Sequence, residues 1–187
     1  KSAGRPQDAR KDYIRAVELQ PASAELYKER AAFFKSTGAI KEAVDDSGKA
    51  IELEPGNADS YWARATIYLE DANYSAAFAD LGQAIALQPE NHAFYWWRAF
   101  VLEKAGADED AFIDFSRAIE LNESADNPNP LLLYKYYSSR AGLLEKVGLV
   151  EEAAQDRAVL NNLTGWKPVM ESDEQICRHQ SAGKLQQ

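Results

Sequence analysis

The chain is short of cysteine, histidine, glycine, proline and long apolar runs, and each shortage closes off a class of protein. Its 187 residues hold one cysteine, Cys177, so no disulfide can form within it. That thiol and two histidines, His92 and His179, cannot supply the ligands of a structural zinc site, and neither a metal nor a cofactor is expected. Apolar runs stay well below the roughly 20 residues that cross a bilayer, and the opening residues, Lys1 to Pro6, do not read as a secretory signal. Ten glycines and seven prolines are too few for a strand-and-turn architecture. Basic residues are outnumbered, 21 against 30, which leaves a formal charge of −9. Nucleic acid, whose phosphates favour a basic stripe, is therefore not an expected partner. What remains is the composition of a soluble, cytosol-compatible globular chain.

What is present in excess is aromatic: seven Phe, nine Tyr and four Trp, 11 % of the chain, which a helical fold or a binding site has to absorb. The rings fall into a period. The string from Ala16 to Pro21 (AVELQP) recurs from Ala50 to Pro55 and from Ala84 to Pro89, with the prolines 34 residues apart. A fourth copy, Ala118 to Glu123, keeps the period and loses the proline. Ala9, Ala43, Ala77 and Ala111 form a second series at the same step. Within each period the apolar spacing is helical. Leu26, Tyr27, Phe33 and Phe34 share a face of a helix over roughly 24–36, which Gly38 ends. Ile40, Ala43, Val44, Ala50, Ile51 and Leu53 mark a second helix that stops before Pro55. The unit is a helical hairpin.

Its residue pattern resembles the tetratricopeptide repeat family: aromatic, small, aromatic on helix A, then Ala, large, Ala, Pro on helix B. Here that is Tyr61, Ala65, Tyr68, Ala77, Leu81, Ala84 and Pro89. The small residues let two helices approach closely while neighbouring rings fill the gaps beside them. The resemblance implies an all-α fold, a right-handed superhelical solenoid of such hairpins. The register divides the chain into a half repeat (1–23, helix B only), repeats at 24–57, 58–91 and 92–125, and an insertion at 126–133. A degenerate fourth repeat (134–163) and a C-terminal capping helix and tail (164–187) complete it. The half repeat predicts that the array continues upstream or that this helix is an N-terminal cap. Prolines at 128 and 130 forbid continuing the preceding helix, and Pro130 suits the first turn of a longer helix A over roughly 131–146. The tail carries Trp166, Val169, Met170, Ile176 and Cys177, which predict a helix near 169–179, or a segment lying in a groove.

Each hairpin places an arginine on helix A and an aspartate 16 residues later on helix B: Arg30 and Asp46, Arg64 and Asp80, Arg98 and Asp114, Arg140 and Asp156. The expected role is a structural ion pair tying A to B rather than a charged binding strip. The family resemblance further implies that helix A lines a concave groove, with the residue after its first aromatic pointing inward. Those positions hold Lys28, Trp62, Trp96 and Ser138, and one turn later Ala32, Thr66, Phe100 and Gly142. Trp62, Trp96 and Phe100 are thus expected to form a central patch, with Leu69 and Trp97 at its edge. Tyr61, Tyr68 and Tyr95 already serve the packing between helices; the other reading is that the tryptophans pack between repeats as well.

Charge by segment points to the same place. Residues 58–91 carry one base and five acids, −4, and residues 92–133 carry three bases and eight acids, −5. An apolar peptide with basic flanks, read by acids such as Asp59 and Glu103, would suit that field. The carboxylate clamp known from one branch of the family needs Lys, Asn and Arg where this register holds Lys28, Ala32, Ala63, Ala93 and Trp97. One repeat later the slots hold Trp62, Thr66, Trp97, Lys135 and Ser139, so chaperone tails are disfavoured. Catalysis finds no constellation: Cys177 lacks a base, the histidines lie far apart in sequence, and Asp45–Asp46 and Glu151–Glu152 are helix-surface neighbours. Triplets at Asn73, Asn122 and Asn162 fit a glycosylation acceptor only in a secreted protein. The expected function is a non-catalytic protein- or peptide-binding module; the alternative is a scaffold that self-associates through its terminal repeats.

Overall fold

Four helix starts are marked by short polar side chains, and three helices stop just before a glycine. The computed structural model describes residues 4–163, with side chains from residue 7 onward, and the expectations for the tail at 164–187 lie outside these residues. Among the described residues there are helices and no strand. The helices are α1 (Gly4–Leu19), α2 (Ala24–Ser36), α3 (Ile40–Leu53), α4 (Ala58–Glu70), α5 (Tyr74–Leu87), α6 (His92–Ala105), α7 (Asp108–Glu123), α8 (Pro130–Lys146) and α9 (Val150–Asn162). Ser23, Asn57, Asn73 and Asn129 each cap a helix by accepting a backbone N–H of its first turn.

Inside each hairpin the turn is the same. The N–H of Ala39, Asn73, Ala107 and Leu149 returns to the carbonyl five residues earlier, at 2.8 to 2.9 Å. This closure needs a left-handed residue just before it. Gly38, Gly106 and Gly148 take it with φ of 75°, 81° and 84°, whereas the second hairpin uses Ala72 at 53°.

Small residues define where helices touch. Ala43, Ala50, Ala65, Ala77, Ala84, Ala99, Ala111, Ala118 and Ala141 are all fully buried. α2 packs on α3, α4 on α5 and α8 on α9, and α1, α3 and α7 each pack on the helix that follows. The described chain forms two compact units, one of residues 4–90 with Phe100–Ala107, the other of Asn91–Ala99 with residues 108–163. In the first, Phe34, Ala43 and Ile67 make a core that Phe33, Ala39, Ile40 and Val44 extend. In the second, Phe115, Tyr136 and Leu143 are the large buried side chains.

The insertion is not a loop of eight residues. Relative to the other hairpins, α7 runs two residues further, the connection 124–129 is two longer, and α8 begins one turn early at Pro130. Residues 130–133, counted with the insertion by the period, are thus helix. Leu132 and Leu133 are buried, which is what drives the extra turn.

Candidate functional site

The arginine–aspartate pairs come first because they fix helix A against helix B. Arg30 Nε and Nη2 donate to Asp46 Oδ2 and Oδ1 at 2.6 and 2.7 Å. Arg64 with Asp80 (2.8 and 2.7 Å), Arg98 with Asp114 (2.6 and 2.8 Å) and Arg140 with Asp156 (2.8 and 2.6 Å) repeat the two-pronged geometry. The aspartates are 4 to 6 % exposed. The hydrogen bond to the partner carboxylate raises each guanidinium above its ordinary pKa. Tyrosine rings flank the guanidinium groups at 5.4 to 5.9 Å, Tyr27 beside Arg30, Tyr68 beside Arg64, Tyr95 beside Arg98 and Tyr137 beside Arg140. These charges are consumed within the fold, and no binding strip is left of them.

In the first unit the candidate face lies on α4. Asp59, Trp62, Thr66 and Leu69 recur at three- and four-residue steps, so they share one side of the helix. Asp59 is exposed, and Trp62 and Leu69 are half-buried. Thr66 is already engaged: its Oγ1 donates to the Ala63 carbonyl at 2.8 Å and accepts from Lys35 Nζ at 3.1 Å. Lys35 also reaches Glu70 at 3.3 Å. A second lysine, Lys28, pairs with Glu25 at 2.6 Å. Lys35 therefore brings to the α4 face a cation the charge count alone did not place. Phe100 and Glu103 belong to the same unit, both partly buried, with Lys104 Nζ 5.0 Å from the Phe100 ring centroid.

Trp96 and Trp97 fall in the second unit and are interior. Trp96 is 4 % exposed and Trp97 8 %. The expectation that Trp96 lines an open patch is corrected by α8, which covers it. Its Nε1–H donates to Ser139 Oγ at 3.0 Å, its ring stacks on Tyr136 at 6.3 Å, and Lys135 Nζ sits 3.6 Å from its centroid. Trp97 stands edge-on to Trp96 at 5.0 Å. Periodicity assigns Trp62 and Trp96 the same side of helix A but cannot say which of them a later helix covers.

A polar cluster in this unit escaped the sequence reading. His92 Nδ1 lies 2.8 Å from the Tyr136 hydroxyl and Nε2 lies 3.4 Å from Asn122 Nδ2. Asn122, the middle glycosylation-like triplet, is 1 % exposed and accepts from the Asn129 N–H at 2.9 Å. Tyr137 donates to Glu123 Oε1 at 2.7 Å. The one available signal was that Asn122 and Glu123 immediately precede the break in the period. No group of three or more His, Cys, Asp or Glu side chains that could hold a metal occurs among the described residues, and no described helix is long and apolar enough to cross a membrane.

Residues 58–91, the α4–α5 hairpin, match the family model described as tetratricopeptide repeat. The same hairpin geometry runs through the other described repeats. The α4–α5 hairpin is a tetratricopeptide repeat. Solved structures of this fold agree. Residues 41 to the end of MamA from Desulfovibrio magneticus RS-1 align with a TM-score of 0.72 at 16 % identity, over 86 % of each chain. YrrB, described as a TPR protein with an unusual peptide-binding site, gives 0.64 at 22 %, over 82 % of this chain and 75 % of that one. The first TPR of Spaghetti, bound to the HSP90 peptide SRMEEVD, gives 0.57 at 21 %, over 66 % and 92 %. Among curated proteins no sequence match was found. At these identities the likeness is one of fold, an all-α array of helical hairpins.

Proposed function

We propose that this protein is a non-catalytic module that holds an extended apolar peptide segment with basic flanks on the α4 face of its first unit. Trp62 carries the reading. It is a large ring, half-buried, on a helix whose Ala65 and Ile67 already serve the core. A ring of that size beside exposed Asp59 is the kind of residue that anchors peptide interfaces. That YrrB and the Spaghetti domain are described with peptides supports the class of ligand. An acidic C-terminal tail is a poor fit, because the clamp slots hold Ala93 and Trp97, both buried, and Lys135, which rests on Trp96.

The test is a fluorescence titration with synthetic peptides of a central Leu or Phe flanked by Lys, against the same peptides flanked by Glu. Trp62→Ala is expected to weaken the basic-flanked peptide by roughly thirtyfold, the scale of an interface anchor, without changing the unfolding midpoint by more than a few degrees. Equal binding by wild type and Trp62→Ala would remove the α4 face from consideration.

One observation favours the scaffold reading instead. Val147, Leu149 and Val150 at the α8–α9 turn are 45, 46 and 66 % exposed, a concentration of apolar surface at the end of the last described hairpin. If that surface self-associates, light scattering will show a mass that rises with concentration, and Val150→Lys will return it to the monomer.

A further inference from the structure

The connection between α7 and α8 is where the period breaks, and it is held by contacts whose donors and acceptors can be assigned one after another. The backbone N–H of Asn129 donates to Asn122 Oδ1 at 2.9 Å. That donor fixes the amide: its oxygen faces the connection, so its nitrogen faces His92, 3.4 Å from Nε2. An amide nitrogen only donates, so Nε2 accepts, and in a neutral imidazole the proton then sits on Nδ1. Nδ1–H therefore donates to the Tyr136 hydroxyl at 2.8 Å. The chain of contacts continues into α8, since Asn129 Oδ1 accepts from the N–H groups of Leu131 and Leu132 at 3.0 and 3.3 Å. Asn122 and Tyr136 are each 1 % exposed, so water has little access to their polar atoms.

We propose that His92 is an acid-sensitive latch: a proton on Nε2 sets imidazolium donor against amide donor and releases the 124–129 connection from α7. Relief can come in two ways. The Asn122 amide turns over and withdraws its oxygen from Asn129, or the ring leaves and abandons Tyr136. The first route unties the cap of α8 from Asn122 and is the one the latch requires; the second costs α8 only its contact with His92 through Tyr136.

Among the described residues the ring's two hydrogen-bond partners are uncharged. From α7 the ring meets the neutral Asn122 amide, and Glu123 beside it is engaged by the Tyr137 hydroxyl. From α8 it meets the Tyr136 phenol, with the Lys135 ammonium one residue away on Trp96. On α6 itself Tyr95, one turn on, interacts with Arg117. His92 is also the first residue of α6, at the positive end of that helix. Burial holds its pKa below the usual value. A base with a lowered folded pKa contributes stability in full above its unfolded value, about 6.5, and loses it as pH falls through the folded one.

The experiment uses the full chain in solution and nitrogen-15 NMR. At neutral pH long-range correlations of His92 are expected to show the Nδ1–H form; the Nε2–H form would overturn the assignment. On acidification the Asn129 amide shift is expected to titrate with the same midpoint as the His92 ring, and separate midpoints would overturn the latch. The hydrogen-exchange protection factor of Asn129 should fall by about tenfold or more between pH 7 and 5. His92→Gln, which can accept from Asn122 and donate to Tyr136 but cannot titrate, should keep that protection level. An equal fall in wild type and variant, or no fall in wild type, sinks the proposal. Should the variant not fold, the tautomer and the paired midpoints in the wild-type chain decide alone.

Discussion

Single residues show how far a repeat can depart from its own pattern. Ala72 holds at φ 53° the turn position that Gly38, Gly106 and Gly148 fill at 75° to 84°. A Cβ in the left-handed region crowds the following carbonyl, so Ala72→Gly is expected to raise stability by about 1 kcal/mol, read from the urea midpoint at unchanged slope. The turn itself was legible, because Gly38, Gly106 and Gly148 punctuate helical runs. The strained exception was not, since only coordinates reveal the sign of φ. Trp62 and Trp96 make the same point about burial. They sit one period apart, yet α8 closes over Trp96 with Lys135, Tyr136 and Ser139, while Trp62 stays half-buried.

Each described hairpin carries a buried two-pronged arginine–aspartate contact between its helices. Arg98 and Asp114 share two hydrogen bonds of 2.6 and 2.8 Å, with the aspartate 5 % exposed. Arg98→Met, which strands that carboxylate, is expected to cost about 3 kcal/mol, and adding Asp114→Leu should recover part of the loss. A urea double-mutant cycle measures the coupling; strict additivity would mean the pair does not act as a unit. The α7–α8 element offers an alkaline test. Burial, then the bond to Glu123, raises the Tyr137 phenol to about 12. The native state thus keeps this proton when the unfolded chain, near 10, releases it. The stability it contributes is complete below pH 10 and is lost as pH rises through about 12. Tyr137→Phe should flatten that part of the stability curve and remove from the absorbance titration a tyrosinate that forms at about 12.

At the scale of the molecule, charge rather than shape sets the kinetic expectation. Residues 58–91 carry −4 and residues 92–133 carry −5, which together equal the formal −9 of the chain. A basic-flanked peptide should therefore associate about tenfold more slowly when salt rises from low to physiological levels, in stopped-flow fluorescence, whereas a neutral peptide should not. Insensitivity of both would show that this field plays no part in capture.

The sequence by itself determined the all-α class, the hairpin and its register. Each of these is a local pattern: an apolar face returning every turn, a capping Ser or Asn, a glycine at the turn, an alanine wherever two helices meet. It also placed Arg and Asp at the 16-residue spacing at which the four described hairpins bring them together. Only the tertiary structure decided which tryptophan is covered and that His92, Asn122, Asn129 and Tyr136 meet. Those outcomes depend on where α8 lands after a break in the period, and side chains 43 and 44 residues apart have no periodicity to announce their contact.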